Sequence, residues 1–267
     1  MLKKIISLAS LIFVLQGCES KDPNSLSVGT IAGPETQIME VAKDVAKKRF
    51  NLTIKLIEFT DYLEPNAALS DGSIDANMFQ HQPFLDAQIK DRQFKLISVA
   101  KTFVYPMGVY SQKIKSIQAL PEKSIVAIPS DPSNEGRALI LLQKAGLIRL
   151  NDHAGLYATP VDINDNPKKL SFKELDAAQL PRSLADVGIA VINTNYAIPA
   201  GLTPTKDAIL HEGRDSLYAN ILVVREDEKN DPRIAQLIQS LHSPEVLAAA
   251  KKIFNNQALP AWQTTSP

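Results

Sequence analysis

The stretch Ser25–Phe59, SLSVGTIAGPETQIMEVAKDVAKKRFNLTIKLIEF, changes its hydrophobic period twice, and that change decides the fold. SLSVGTIA, Ser25–Ala32, is short and β-branched, as a strand is. In TQIMEVAKDVAKKRF, Thr36–Phe50, the apolar residues Ile38, Val41, Ala42, Val45 and Ala46 recur at helical spacing. Lys47, Lys48 and Arg49 close that helix, where cations suit its dipole. LTIKLIEF, Leu52–Phe59, is a strand again. A short helix is expected over Pro65–Leu69, with Pro65 suited to a first turn. Asp71-Gly72 breaks it, and SIDANMF, Ser73–Phe79, returns as a strand. Strand–helix–strand–helix–strand predicts an α/β fold whose parallel strands are covered on both faces.

Outward from this unit the pattern changes. FKLISVAKTFVYPMGVYS, Phe94–Ser111, is long, β-rich and interrupted by Pro106, which cannot donate to a ladder and fits a bend. It reads as a strand that leaves the first sheet for a second. Strands are expected at Ser124–Pro129, near Ala158–Ile163 and at Val187–Asn193. A helix is expected over Gly136–Ile148, and FKELDAAQLPRSL, Phe172–Leu184, reads as partly helical. SLYANILVVRE, Ser216–Glu226, is a second long β run, suited to the return crossing. Two helices, Asp231–Leu241 and Pro244–Phe254, close the chain. The expected architecture is two α/β lobes, joined by two crossing strands, with a cleft between them.

The N-terminus explains the single cysteine. Lys3 and Lys4 precede an apolar run, Ile5–Leu15, in the layout of a secretory signal peptide. The run is short for a bilayer span, which needs about 20 apolar residues. LQGC, Leu15–Cys18, resembles a bacterial lipobox, in which cleavage precedes the cysteine and the thiol is acylated. Two or more acyl chains anchor stably, since each buried CH₂ contributes about 0.8 kcal/mol. CESKDPNSL, Cys18–Leu26, then reads as a polar tether. The expected divisions are a signal peptide over 1–17, a lipid-linked tether over 18–25, one lobe of 26–106 plus 222–267, and a second of 107–221.

The mature chain of 250 residues has a lone thiol and forms no internal disulfide, so its stability rests on its core. At 45% hydrophobic and 22% charged residues it has an ordinary globular composition. The 29 basic and 29 acidic residues become 27 and 29 when the signal is removed, and no basic run suits phosphates. Nucleic acid is therefore not an expected partner. His81, His153, His211 and His242 lack metal-ligand spacing, and no G-x-S-x-G elbow occurs, so neither a metal site nor hydrolase chemistry is expected.

Three stretches offer site residues. In PSDPSNEGRAL, Pro129–Leu139, a strand end is followed by capping residues and a helix, a ready anion site. Arg137 falls in or near its first turn, and its planar fork can grip a carboxylate through two hydrogen bonds. Capping chemistry with a surface arginine accounts for the same residues. In DANMFQHQPFLD, Asp75–Asp86, Asn77, Phe79 and His81 share one side of an extended chain. With Phe84, and with Tyr62 of the preceding loop, they offer aromatic walls suited to a thioether or apolar side chain. Taken one at a time, the two phenylalanines are better accounted for by core packing and His81 by a satisfied loop histidine. INTNYA and LYANILVVR supply Asn193, Asn195 and Asn220, amides that can accept from an ammonium and donate to a carboxylate, or simply form turns.

Taken together, LQGC, FTDYLEPN, DANMFQHQPFLD, AKTFVYPMGVYS, PSDPSNEGRALILLQKAGLI, VINTNYA and LYANILVVR resemble the methionine-binding lipoproteins of ABC importers, the NlpA or MetQ-like family, over nearly the whole chain. The resemblance implies the two-lobed, type II periplasmic-binding-protein-like fold. It implies that Arg137 pairs with the ligand carboxylate and that Asn195 and Asn220 hold the amino-acid backbone. Tyr62, Phe79, His81 and Phe84 would form the side-chain pocket. Phe84 stands where the family often has tyrosine, and Leu217 where proline is common. The implied function is capture of methionine and its delivery to an ABC permease, with no cofactor and no covalent chemistry. The implied protein is an exported monomer, held on the periplasmic face of a membrane by lipid on Cys18. A related ligand, such as a methionine dipeptide or another apolar amino acid, and a surface lipoprotein without a transport role are the competing expectations.

Overall fold

The computed structural model describes residues 23–213 and 216–262. The expected signal peptide, Cys18 and most of the tether lie outside the described residues.

The opening unit forms as its periodicity predicts. Strand β1 (Ser25–Ile31) runs into helix α1 (Pro34–Phe50), which turns through the left-handed Asn51 into β2 (Thr53–Phe59). The two strands pair in parallel from Ser25↔Thr53 to Ile31↔Phe59. Helix α1 begins two residues earlier than its periodicity suggests, because Pro34 supplies a preset φ at its first position. After the short α2 (Pro65–Ser70), the fully buried β3 (Ala76–His81) joins the other side of β1. Helix α3 (Gln82–Arg92) follows at once. Its sequence shows little apolar periodicity, since Pro83, Phe84 and Leu85 alone are buried.

The crossing is a break between two strands. Strand β4 (Leu96–Val104) ends, Tyr105–Met107 bends, and β5 (Gly108–Tyr110) continues in the second sheet. That lobe contains β6 (Ile125–Pro129) and helix α4 (Pro132–Lys144), with a two-stranded ribbon of β7 (Arg149–Leu150) and β8 (Ile163–Asp165). It is completed by β9 (Ser171–Leu175), α5 (Leu180–Ser183), β10 (Ile189–Ile192), α6 (Thr194–Ala197), α7 (Pro204–Asp207) and β11 (Leu210–His211). The return strand β12 (Ala219–Arg225) leads to α8 (Pro232–Leu241), α9 (Pro244–Ile253) and β13 (Leu259–Pro260). The six-stranded sheet has the order β13-β4-β12-β3-β1-β2, and the five-stranded sheet β11-β5-β10-β6-β9. The chain is thus two α/β lobes joined by two crossings, as expected.

Three local expectations are corrected. The strand expected near Ala158–Ile163 begins only at Ile163, as β8, and Pro160–Asp162 before it is a 3-10 turn, because Pro160 has no N–H for a ladder and Thr159 and Asp162 close a capping box. The strand beside β6 is β9, within a segment read as partly helical. It is a sheet edge, and its exposed Lys173 and Glu174 hide the alternation a strand should show. Strand β12 enters the six-stranded sheet at Ala219, ahead of the boundary expected at 222, because Ala219 already pairs with Val104 and Asn220 with His81.

Both sheets bury both faces, and alternation along single strands sends side chains to different cores. Leu222 and Val224 of β12 pack with Ile38, Met39, Ile234 and Phe254. Their neighbours Ile221 and Val223 pack with Leu69, Ile74 and Leu85. In the second lobe Val126 and Ile128 meet Leu139 and Leu142 of α4, while Ala127 faces Leu180 and Leu184. A fully buried aliphatic side chain is worth about 1.5–3 kcal/mol, so these layers hold each lobe together without cross-links. Gly136 lets α4 lie against the 156–158 loop, since a Cβ there would stand 2.2 Å from the Leu156 carbonyl oxygen.

Candidate functional site: the cleft between the lobes

The lobes meet along a cleft spanned by direct hydrogen bonds. The Tyr62 hydroxyl of the first lobe donates to Asn195 Oδ1 of the second at 2.8 Å. Tyr157 of the second donates to the Pro83 carbonyl of the first at 3.1 Å. Between them lies a tight cavity of about 20 Å³, so the lobes stand close together around it. All seven residues named as ligand contacts, Tyr62, Phe79, His81, Phe84, Arg137, Asn195 and Asn220, line it. Asn134 and Asn193 do so too, together with Glu35, Gln80, Tyr105 and Thr194.

One wall is aromatic and comes from the first lobe. Tyr62, Phe79 and Phe84 form a triangle with ring centroids 5.7–5.8 Å apart, tilted or edge-on. Phe79 leaves the end of β3, and Phe84 stands in the first turn of α3. His81 caps that helix. Its Nδ1 accepts the Phe84 N–H at 3.2 Å, so the ring proton is on Nε2, which donates across the cleft to Asn134 Oδ1 at 3.2 Å. Burial first, and the nearby Arg137 charge second, push its pKa down to about 3. His81 is therefore a neutral donor here, fixed in one tautomer by a helix cap.

The other wall is polar. Asn134 Oδ1 also accepts from Asn193 Nδ2 at 2.9 Å, and Asn134 Nδ2 donates to Asp131. Asp131 is the cap of α4, so the helix starts at Pro132 and Arg137 lies in its second turn, not its first. Asn220, at the start of β12, donates from Nδ2 to Glu35 Oε1 at 2.8 Å. Glu35 is 1% exposed, and burial raises its pKa well above the ordinary carboxyl range despite that hydrogen bond. Among the described residues, four buried atoms on this cavity make no hydrogen bond: Glu35 Oε2, Asn193 Oδ1, Asn195 Nδ2 and the Tyr105 hydroxyl. Buried polar atoms are almost always paired, so unpaired donors and acceptors on residues lining one cavity mark a place for a ligand that both donates and accepts hydrogen bonds.

Arg137 departs from the expected geometry. Its fork is occupied from inside the protein: Nε donates to Glu212 Oε1 at 2.8 Å and Nη2 to Glu212 Oε2. Nη2 donates also to the Tyr105 carbonyl at 3.0 Å. An arginine has five N–H donors. Three are committed here, and no hydrogen bond takes the two on Nη1 among the described residues. The forked grip expected for a ligand carboxylate is therefore held by Glu212, and Arg137 offers the cleft one nitrogen.

Glu35, Gln80, Tyr105 and Thr194 escaped the sequence reading. Glu35 falls in the first turn of α1, where an acid ordinarily complements the helix dipole, so its residue type marks no ligand contact. Tyr105 lies within the long β-rich crossing segment, with no local motif around it.

The chain is similar to known proteins in sequence and fold. The chain is 54% identical over 252 residues to a Salmonella typhimurium protein named D-methionine-binding lipoprotein MetQ, covering 93% of each. A solved ABC transporter periplasmic substrate-binding protein from Coxiella burnetii is 62% identical, with a TM-score of 0.86 over 88% of this chain and all of that one. A nutrient-binding protein from Burkholderia cenocepacia, solved bound to methionine, is 51% identical, with a TM-score of 0.87 over 88% of this chain and 99% of that one. The model of the NlpA lipoprotein family matches residues 26–262, nearly all of the described chain, and the chain belongs to that family.

Proposed function

We propose that this chain is the substrate-binding lipoprotein of an ABC importer, and that its lobes close on one molecule of free methionine. The observation that carries the reading is the division of one cavity into an aromatic wall and a polar wall with unpaired atoms of both polarities. The methionine-bound Burkholderia relative supports the choice of ligand. The ammonium sits against Glu35, whose raised pKa falls back once a cation lies beside it. Asn193 Oδ1 is the second acceptor. The carboxylate takes Nη1 of Arg137 and Asn195 Nδ2. Asn220 holds Glu35 in place.

The thioether side chain lies among Tyr62, Phe79, His81 and Phe84. Burying it contributes about 1.5–3 kcal/mol, and sulfur against ring edges adds a little more. Closure removes water and strengthens each polar contact, because the effective dielectric falls. Nothing in this cycle makes or breaks a covalent bond. The exported monomer is held at the periplasmic face of a membrane by acyl chains on Cys18 and passes its cargo to a permease.

Mass spectrometry of ligand released on denaturing freshly purified protein tests the reading, with a thermal-shift screen of amino acids and methionine dipeptides on the refolded chain. A ligand raises stability by mass action. Methionine should be the released species and should give the largest shift. A dipeptide or leucine in its place would overturn the choice of ligand. Fatty-acid labelling lost in Cys18→Ala checks the anchor.

A further inference from the structure

The ion pair behind the cleft has more partners than charge balance requires. Arg137 and Glu212 are both largely buried, with side chains 4% and 11% exposed. Burial alone would raise the Glu212 pKa, but the Arg137 charge and hydrogen bonds hold its carboxyl below the ordinary range. Glu212 Oε2 also accepts the Met107 N–H at 3.0 Å and the Ser216 hydroxyl at 3.3 Å. Met107 belongs to the first crossing and Ser216 to the approach to the second. The guanidinium repeats the pattern: Nη2 donates to the Tyr105 carbonyl of the first crossing, and its carbon lies 4.4 Å over the Tyr218 ring of the second. One ion pair, carried by α4 and the segment after β11, thus gathers both connections between the lobes.

We infer that Glu212 is a positioning residue for ligand capture: it occupies the fork of Arg137 so that Nη1 alone meets the ligand carboxylate, and it fastens that arginine to both crossings. The inference rests on the reading of the ligand as an amino acid with a free carboxylate. Its physical basis is the rotation available to a long side chain. Without Glu212, the guanidinium could turn about its stem and lose register with the cleft, at a rotamer-entropy cost to each binding event. With Glu212 in place, the Arg137 donors are already aimed when the lobes close, and closure turns about segments that hold the same ion pair.

The test is calorimetric titration of wild type, Glu212→Gln and Glu212→Asp with methionine and with methionine amide, which lacks the carboxylate charge. Circular dichroism establishes folding first. Glu212→Gln should weaken methionine by roughly tenfold or more, in the range of coupled neighbours, and methionine amide by no more than about threefold. Glu212→Asp should recover part of the loss. Equal losses for the two ligands would make the residue purely structural. Unchanged or tighter methionine binding, with the ligand taking the fork for itself, would overturn the inference outright. If Glu212→Gln does not fold, Arg137→Ala/Glu212→Gln, which strands no buried charge, is compared with Arg137→Ala alone. Methionine affinities within about twofold of one another are expected, because Glu212 acts through the arginine, and a further tenfold loss overturns it. A wild type that ignores methionine is a separate result. It removes the functional reading, and this inference with it, whereas a wild type that binds while Glu212→Gln matches it removes the inference alone.

Discussion

The two walls of the cleft are built on opposite principles. The aromatic wall is self-sufficient, with Tyr62, Phe79 and Phe84 packed on one another and their contacts already made. The polar wall is incomplete by itself: Glu35, Asn193, Asn195 and Tyr105 each keep a buried atom with no partner among the described residues. The difference teaches where recognition resides. Apolar contact scales smoothly with area, so a near-fit on the aromatic wall loses little. A buried polar or charged atom left without its counterpart costs far more, so under the proposed function the polar wall decides which molecules the lobes close on.

Several substitutions break or sharpen this contrast, and Arg137→Ala should have the largest effect. It removes the cation of the polar wall and strands Glu212 at the crossings. Truncating one member of a buried charge pair costs about 2–5 kcal/mol, so methionine affinity should fall by roughly thirtyfold to several thousandfold in calorimetry. Arg137→Lys should recover part of this. In the proposed complex a single donor nitrogen faces the ligand, but a lysine cannot also hold Glu212 and the Tyr105 carbonyl. Glu35→Gln comes next. It keeps the shape but removes the anion that the proposal sets against the ammonium, and a charged hydrogen bond is worth about 1.5–3 kcal/mol, so a loss of roughly tenfold to a hundredfold is expected.

The aromatic wall should respond more gently. Leucine in place of methionine should bind about tenfold more weakly, equivalent to about 1.4 kcal/mol, because branching meets the ring triangle. Phe84→Tyr should change affinity by less than that. Equal affinities for leucine and methionine would mean that the aromatic wall selects nothing beyond apolar bulk.

The smallest effect near neutrality concerns pH. His81 faces Asn134 and Arg137 of α4, Phe84 of α3 and the Tyr218 ring, 5.0 Å away. Arg137 and Glu212 are the charges felt there. Its closed-state pKa of about 3 lies below the ordinary value near 6.5, so the neutral form favours closure. The contribution is fully present above about pH 6.5 and is lost as pH falls from there toward 3, by at most tenfold per pH unit. The His81 contribution to methionine affinity should therefore be flat above neutrality and decline below about pH 6, on top of any dependence that Glu35 adds. A His81→Gln variant that keeps the same decline would place its origin elsewhere.

What could be read from the sequence, and what could not, follows the same contrast. Strands and helices with strong periodicity, from β1 through β2 and again in α8 and α9, were legible because one face of each is buried. Strand β9 was not, because an exposed edge carrying Lys173 and Glu174 has no reason to alternate. Helix α3 was not, because its buried residues sit in its first turn only. In the cleft, the residues in dense local motifs were legible, among them Phe79, His81 and Phe84 within one short run. The union of Arg137 with Glu212 was invisible, since the partners lie 75 residues apart and Glu212 sits in no motif. Glu35 carried no mark that distinguishes a ligand contact from a helix-dipole partner.

The most direct test of the account is a crystal structure of this chain with methionine bound. The account predicts the carboxylate on Nη1 of Arg137, the ammonium against Glu35, the thioether among Tyr62, Phe79 and Phe84, and the Arg137–Glu212 pair intact. A ligand carboxylate seated in the arginine fork with Glu212 displaced, or methionine absent from the cleft, would contradict it.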